Sequence, residues 1–224
     1  MSKYRYNEYI QRIKPPSPSL NFNNKKMMEY IKSFDENSKV LDLGCGNRRL
    51  TEFTVNFDLE IASDIDVVGD AHQLPFTNNT FDFVICQAVL EHVKAPTTVV
   101  DEIYRILKKD GIIYVEVPFL QGFHADPHDY TRFTIRGIES LLCRFKSIES
   151  GTCVGPFSVL AWWLRKLPTV FFHNSLVTYI IEFLFGWLTF WVKYLDIMII
   201  RFKNAHIIAG GLFFIGKKID SIHI

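Results

Sequence analysis

V-L-D-L-G-C-G-N, Val40 to Asn47, is the stretch from which the rest of this chain can be read. Val40, Leu41 and Leu43 give a short extended run apolar on both faces, as a strand covered from both sides requires. Gly44 and Gly46 follow where the chain must turn sharply and where a ligand can come close to the backbone. Asp42 sets a carboxylate at the mouth of that turn, which suits a cationic or hydrogen-donating ligand better than a pyrophosphate. A dinucleotide fingerprint would run G-x-G-x-x-G. Here Asn47, Arg48 and Arg49 follow Gly46, and the third glycine is missing.

Working outward, Asn24 to Phe34 carries Met27, Met28, Tyr30, Ile31 and Phe34 at helical spacing. Phe53 to Leu59, Val67 to Gly69, Phe81 to Gln87 and Ile112 to Val117 read as strands. Pro96 to Leu107 reads as a helix with Val99, Val100, Ile103 and Ile106 on one side, closed by Lys108-Lys109-Asp110-Gly111. Thr134 to Phe145 is a second helix, and Lys146 to Val154 is extended. Alternating strands and helices predict a doubly wound α/β fold with a parallel sheet and right-handed crossovers. Ligands in such sheets bind outside the carboxyl ends of the strands. The glycine turn, Gln87 and the segment after Val117 should therefore converge.

Composition sets the outer bounds. The chain has 224 residues and a net charge of +1, so no whole-protein basic field points to nucleic acid. Cys45, Cys86, Cys143 and Cys153 are scattered with no C-x-x-C pair, which fits a reducing compartment and argues against a zinc ribbon. The first residues hold no apolar run of signal-peptide length, and a cytoplasmic setting is expected. Residues 1–23 read as a polar arm, with K-P-P-S-P-S from Lys14 blocking helix and inner strand.

Further motifs follow the turn in order: D-A-H-Q-L-P-F from Asp70, F-D-F-V-I-C-Q from Phe81, V-L-E-H-V from Val89 and E-I-Y-R-I-L-K-K-D-G from Glu102. Together they resemble the class I S-adenosylmethionine-dependent methyltransferases, type 11 group, over Val40 to Val117. The resemblance implies a Rossmann-like seven-stranded sheet and S-adenosylmethionine as cofactor, with S-adenosylhomocysteine as product. That cofactor carries a sulfonium, an amino group, a ribose diol and an adenine but no phosphate, in keeping with Asp42. By resemblance, Asp42, Gly44, Cys45, Gly46 and Asn47 hold the methionine end. Asp58 takes the ribose hydroxyls, with Asp64 and Asp66 as competitors. Asp70, Ala71 and His72 meet the adenine edge, and Gln87 faces the sulfonium region.

Pro118 to Tyr130 leaves the sheet at its ligand-binding end and holds His124, Asp126, His128, Asp129 and Tyr130 within seven positions. An oxygen acceptor needs its proton removed, and a histidine steadied by a carboxylate is suited to that. His124 or His128 is the expected base, with Asp126 as orienter and Tyr130 nearby. A divalent metal on H-x-D-x-H-D and a purely structural loop are the competing readings, and no metal is expected. Glu91 and His92 read as a loop-to-helix junction, with Glu91 capping amides and His92 packed.

Aromatics make up 15% of the chain and concentrate after Pro156. Ala205 to Lys217 reads as a last strand closing the sheet antiparallel. Residues 24–155 and 205–224 would then form the domain, with 156–204 an apolar helical insertion. Leu176 to Val192 approaches the length of a membrane span, but Glu182, Lys193 and Asp196 interrupt it. An interfacial helical hairpin is expected, with extra core, a dimer interface or a true span as alternatives. The acceptor would then be a small molecule or lipid-linked substrate met at the cytoplasmic face of a membrane. An inactive cofactor-binding scaffold and a nucleotide-dependent oxidoreductase are the rival functions.

Overall fold

The structure, a computed structural model, describes residues 14–125 and 128–219. Seven strands form one sheet: β1 Val40–Leu43, β2 Thr54–Asp58, β3 Val67–Val68, β4 Phe81–Gln87, β5 Leu107–Pro118, β6 Phe145–Val154 and β7 Gly211–Lys218. Their spatial order is β3-β2-β1-β4-β5-β7-β6. Strands β1 to β5 pair in parallel, and β7 runs antiparallel to both neighbours. This is the doubly wound, Rossmann-like sheet with an antiparallel last strand that the sequence predicts.

The sheet is buried on both faces, which is why its inner strands read as unbroken apolar runs. On one face Leu41, Leu43, Val84, Cys86 and Val115 pack under the helices α2 (Pro96–Ile106) and α3 (Ile135–Leu141). On the other, Val40, Phe83, Ile85 and Tyr114 meet Met27 and Ile31 of α1 (Asn24–Lys32). Val99, Val100, Ile103 and Ile106 of α2 are all buried, a stripe at helical spacing seated on the sheet. Pro96 opens that helix, where its missing N–H costs nothing.

Several boundaries differ from the sequence reading. Helix α2 stops at Ile106, and Lys108 to Gly111 belong to β5 instead of closing the helix. The left-handed residue there is Asp110, at φ 63°, not Gly111. Helix α3 is shorter than Thr134 to Phe145: Thr134 is its cap, accepting from Gly137 N–H at 3.0 Å, and Phe145 already starts β6. Strand β7 begins at Gly211 rather than Ala205, because Lys203–Ile208 is wound as a 3-10 turn.

Between β6 and β7 lie α4 (Pro156–Lys166), a 3-10 turn at Leu167–Phe171, and α5 (Ser175–Thr189). A 3-10 turn at Phe190–Leu195 and α6 (Asp196–Ile199) follow. The three charges that interrupt the apolar run in sequence are all turned inward. Glu182 pairs with Lys166 at 2.6 Å. Lys193 is buried and donates to the Ser17 carbonyl at 2.7 Å. Asp196 is fully buried and caps the first amides of α4, accepting from Phe157 N and Ser158 N at 2.8 Å and from Ser158 Oγ at 2.7 Å. The outward face is left apolar.

Candidate active site

The carboxyl ends of β1, β2 and β4 meet at the glycine turn. Gly44 and Gly46 have φ of 71° and 56°, a left-handed backbone that other residues adopt at a cost. The two glycines differ in purpose. A Cβ on Gly44 would lie 2.3 Å from Val89 Cγ2, so Gly44 serves close packing, whereas a Cβ on Gly46 would meet nothing within 4 Å. The turn is tied to β2 by Gly44 N–H and Cys45 N–H donating to the Phe57 carbonyl at 2.8 and 3.2 Å. Gly46 N–H donates to Asp58 Oδ2 at 2.8 Å, so Asp58 sits against the turn. Of its rivals, Asp66 is otherwise engaged. Asp66 holds Arg49 at 2.7 Å and Asn56 N–H at 2.8 Å, and the Asp64 carbonyl accepts from Asn56 and Arg49.

Asp42 is fully buried and gripped by Arg48, Nε to Oδ2 at 2.9 Å and Nη2 to Oδ1 at 2.7 Å. Burial pushes its carboxyl upward, against the pull of that guanidinium. Arg48 also donates to Gln87 Oε1, and Gln87 Nε2 donates to Glu116 Oε2 at 2.7 Å. Glu116 in turn accepts from Asn21 Nδ2 at 2.7 Å and from the Tyr114 hydroxyl. The arm residues from Lys14 onward thus reach the strand ends. Cys45 is buried, its thiol pushed up to about 11 by that burial, and Asn47 is exposed. Beyond β3, Asp70 Oδ1 accepts from His72 N–H at 2.9 Å and from its Nδ1 at 2.6 Å, which holds the Asp70 carboxyl below its usual range. His72 Nε2 accepts from Ala95 N–H at 3.3 Å, fixing the Asp70-Ala71-His72 turn beside the start of α2.

On the far side of β4, Glu91 is fully buried with neither carboxylate oxygen hydrogen-bonded among the described residues. It caps nothing, contrary to the junction reading. Burial pushes its carboxyl up to about 7. His92 Nε2 lies 3.7 Å and His124 Nε2 3.9 Å from Glu91 Oε1, and the two rings meet edge to face with centroids 5.2 Å apart. The exposed rings of His128 and Tyr130 pair with each other at 5.4 Å, while their backbones adjoin the group: the His128 carbonyl faces His92 Nδ1, and Tyr130 N–H donates to the Glu91 carbonyl at 2.7 Å. Asp126 lies outside the described residues. The carboxylate nearest His124 is Asp129, which accepts its backbone N–H at 2.8 Å and is clamped by Arg132.

The family described as "Methyltransferase domain" matches residues 41–115. Sterol 24-C-methyltransferase erg6 of Schizosaccharomyces pombe is 31% identical over 112 residues, covering 39% of this chain and 30% of its own. An uncharacterised protein of Methanocaldococcus jannaschii is 36% identical over 117 residues, covering 44% and 51%. A solved structure is similar in fold: 1,6-didemethyltoxoflavin-N1-methyltransferase of Burkholderia thailandensis, with bound S-adenosylhomocysteine. Its TM-score is 0.55 at 14% identity, covering 96% of this chain and 84% of that one. Residues 41–115, a third of the chain, are thus similar to a methyltransferase domain, and the solved structures share its fold. The chain spans about half or less of the length of these two curated relatives.

The matched methyltransferase domain implies S-adenosylmethionine as cofactor, and the glycine turn fits it. The open space over Gly46 leaves the backbone free for close approach, and Asp58 brings a carboxylate to the end of β2 beside it, while Asp42 in β1 is already held by Arg48. Arg48 is the residue that sequence reasoning passed over. It lies two residues beyond Gly46, and only its reach back to Asp42 reveals a role. Glu91 was equally hidden, since nothing in V-L-E-H-V says that its carboxylate will be buried without a donor.

Proposed function

We propose that this methyltransferase transfers the S-methyl group of S-adenosylmethionine to an oxygen of an amphiphilic acceptor, a lipid-linked or glycan-type molecule met at a membrane surface. When bound, the cofactor supplies an electrophilic methyl on a sulfonium, so the protein's task is largely in-line positioning. Asp42 and Arg48 orient the amino-acid end, and Asp58 accepts from the ribose hydroxyls. The Asp70-Ala71-His72 turn meets the adenine, and Gln87 lies beside the sulfur. The acceptor oxygen is activated at the Glu91–His92–His124 group, of which His124 is the solvent-side member, its side chain 33% exposed against 14% for His92.

The observation that carries the acceptor class is the apolar face of the segment between β6 and β7. Phe171, Leu188, Met198 and Phe202 are each at least 66% exposed. Such a surface is larger than scattered single residues and marks contact with something apolar. Trp191 and Tyr194 suit a headgroup boundary, and Arg201 and Lys203 add exposed positive charge. Residues 175–199 are long and apolar enough to span by composition, and only 17% of that window is buried, but Lys193 and Asp196 are held by the Ser17 carbonyl and by the first amides of α4. An interfacial seat follows better than a span. The segment also touches the acceptor side: a Cβ on Gly122, two residues before His124, would fall 1.9 Å from Trp162 Cη2.

The test is incubation with a labelled methyl donor and a membrane extract, alongside flotation with anionic and neutral vesicles. Label in an extractable lipid fraction and flotation with anionic vesicles are expected. Label confined to water-soluble acceptors, with no flotation, would remove the membrane part. Tight binding of S-adenosylhomocysteine with no labelled acceptor in any fraction would favour the inactive scaffold.

A further inference from the structure

We infer that Glu91, His92 and His124 form a binding site for one divalent cation of the zinc–manganese class, facing the acceptor side of the cofactor pocket. One ligand atom from each, a carboxylate oxygen and a ring nitrogen of each histidine, lies within 4.8 Å of the others. A tetrahedral zinc site with bonds of ~2.0–2.1 Å separates its ligands by roughly 3.3 Å. The Glu91 oxygen stands 3.7 and 3.9 Å from the two imidazole nitrogens, so small rotamer adjustments would close the set.

The His92 tautomer favours this. His92 Nδ1 faces the His128 carbonyl, which can only accept, so Nδ1 carries the proton and Nε2 presents a lone pair. His124 Nδ1 lies 3.2 Å from the Gly122 carbonyl and 3.8 Å from Asp129 Oδ2, with Arg132 Nη2 at 3.5 Å. The Gly122 carbonyl would accept a hydrogen bond from Nδ1 and the Arg132 guanidinium would donate one to it, so these contacts do not fix the His124 tautomer. An imidazole whose second nitrogen donates to a carbonyl is the usual outer support of a metal-binding histidine. His92 Nε2 thus presents its lone pair toward the Glu91 carboxylate.

Glu91 supplies the independent observation. A fully buried carboxylate whose two oxygens have no hydrogen-bond partner among the described residues is costly unless something positive joins it. The backbone around it is already fixed. Tyr130 and Thr131 N–H donate to the Glu91 carbonyl at 2.7 and 3.4 Å, and Arg132 holds the Gln121 and Gly122 carbonyls at 3.2 Å. The donor set selects the cation: two imidazoles and one carboxylate suit zinc, manganese, iron(II) or cobalt(II), whereas calcium and magnesium prefer all-oxygen shells. Three protein ligands leave coordination open on the His124 side.

In the catalytic reading, on which this last role rests, a hydroxyl of the acceptor takes an open position. Its O–H bond breaks, the proton passes to water, and the oxygen forms a bond to the methyl carbon as the carbon–sulfur bond breaks. The electron pair of that bond stays on sulfur, giving the neutral thioether.

Binding itself is tested without acceptor. Chelator-treated protein is titrated with Zn(II) and Mn(II) by calorimetry, and with Co(II) by visible absorption. One equivalent is expected, with at least ~10-fold weaker affinity in each of His124→Ala, His92→Ala and Glu91→Gln. Calorimetry with S-adenosylhomocysteine on the same samples should be unchanged in His124→Ala, which certifies the fold and keeps the cofactor reading separate. No binding by the wild-type chain would mean that the cluster shares a proton instead, and would overturn the site. Binding undiminished in His124→Ala would place the cation elsewhere and overturn it equally. If the cation binds but S-adenosylhomocysteine does not, the site stands and the methyltransferase reading falls.

Discussion

Arg48 grips Asp42 with two parallel hydrogen bonds of 2.9 and 2.7 Å, closing a guanidinium over a carboxylate that has no exposed surface. The pair sits at the end of the first strand, inside the turn that defines the cofactor site. Removing one partner leaves a buried charge alone, which is far more costly than losing both. Arg48→Met should therefore destabilise the fold by about 3 kcal/mol in urea unfolding. The double variant Arg48→Met/Asp42→Asn should lose clearly less than the two single losses together. Additive losses would mean that the two side chains act independently.

Gly44 and Gly46 share a left-handed backbone but not an environment. Gly46→Ala should cost about 1 kcal/mol, the ordinary strain of a side chain at positive φ. Gly44→Ala adds a collision with Val89 and should cost at least about 2 kcal/mol. Thermal unfolding of the two variants gives the order directly, and equal shifts would contradict the packing role assigned to Gly44.

Asp196 caps a helix forty residues earlier in the chain, meeting two backbone amides and a hydroxyl with its two oxygens. Asp196→Ala should free those donors at a cost of about 2 kcal/mol. Hydrogen exchange should quicken through residues 156–166 while β1 and β4 keep their protection. Uniform loss of protection would show that the segment and the sheet unfold as one unit.

Glu102 accepts from Arg105 Nε and Nη2 and from Leu74 N–H, all at 2.8 Å, which holds its carboxyl below the usual range. A carboxylate depressed in the folded state adds stability above its unfolded pKa of about 4.3, and that stability is lost as pH falls through the folded value. Glu102→Gln should lower stability by about 1 kcal/mol at neutral pH, a modest figure because the pair is partly solvated. The loss should shrink below about pH 4. A deficit that stays constant down to pH 3 would assign the effect to packing instead of charge.

The order of the strands was readable because both sheet faces are covered, so each strand appears as an apolar run. Phe81–Gln87 came out of the sequence with its ends in place. The ends that were missed have local causes. Phe145 belongs to β6 because its side chain is needed under Tyr104 and Gly216, which no helical periodicity records. Lys108 to Gly111 look like a helix cap, yet pairing of Leu107 with Phe81 draws them into β5. On the cofactor side, the motif placed Asp42, Gly46 and Asp58 together, and the structure joins Asp58 to Gly46 directly.

Sequence alone determined the alternation of strands and helices, the glycine turn and the carboxylates at its edge, because these depend on side-chain periodicity and on backbone freedom at single positions. Tertiary structure decided what meets across distance. It turned Glu182, Lys193 and Asp196 inward, so that a run interrupted by charge on paper presents an apolar face in space. It also brought His124 from the loop after β5 to Glu91 and His92 after β4, and left that carboxylate without a donor. Such encounters rest on which chain segments share a strand end, and no local pattern of residues encodes that.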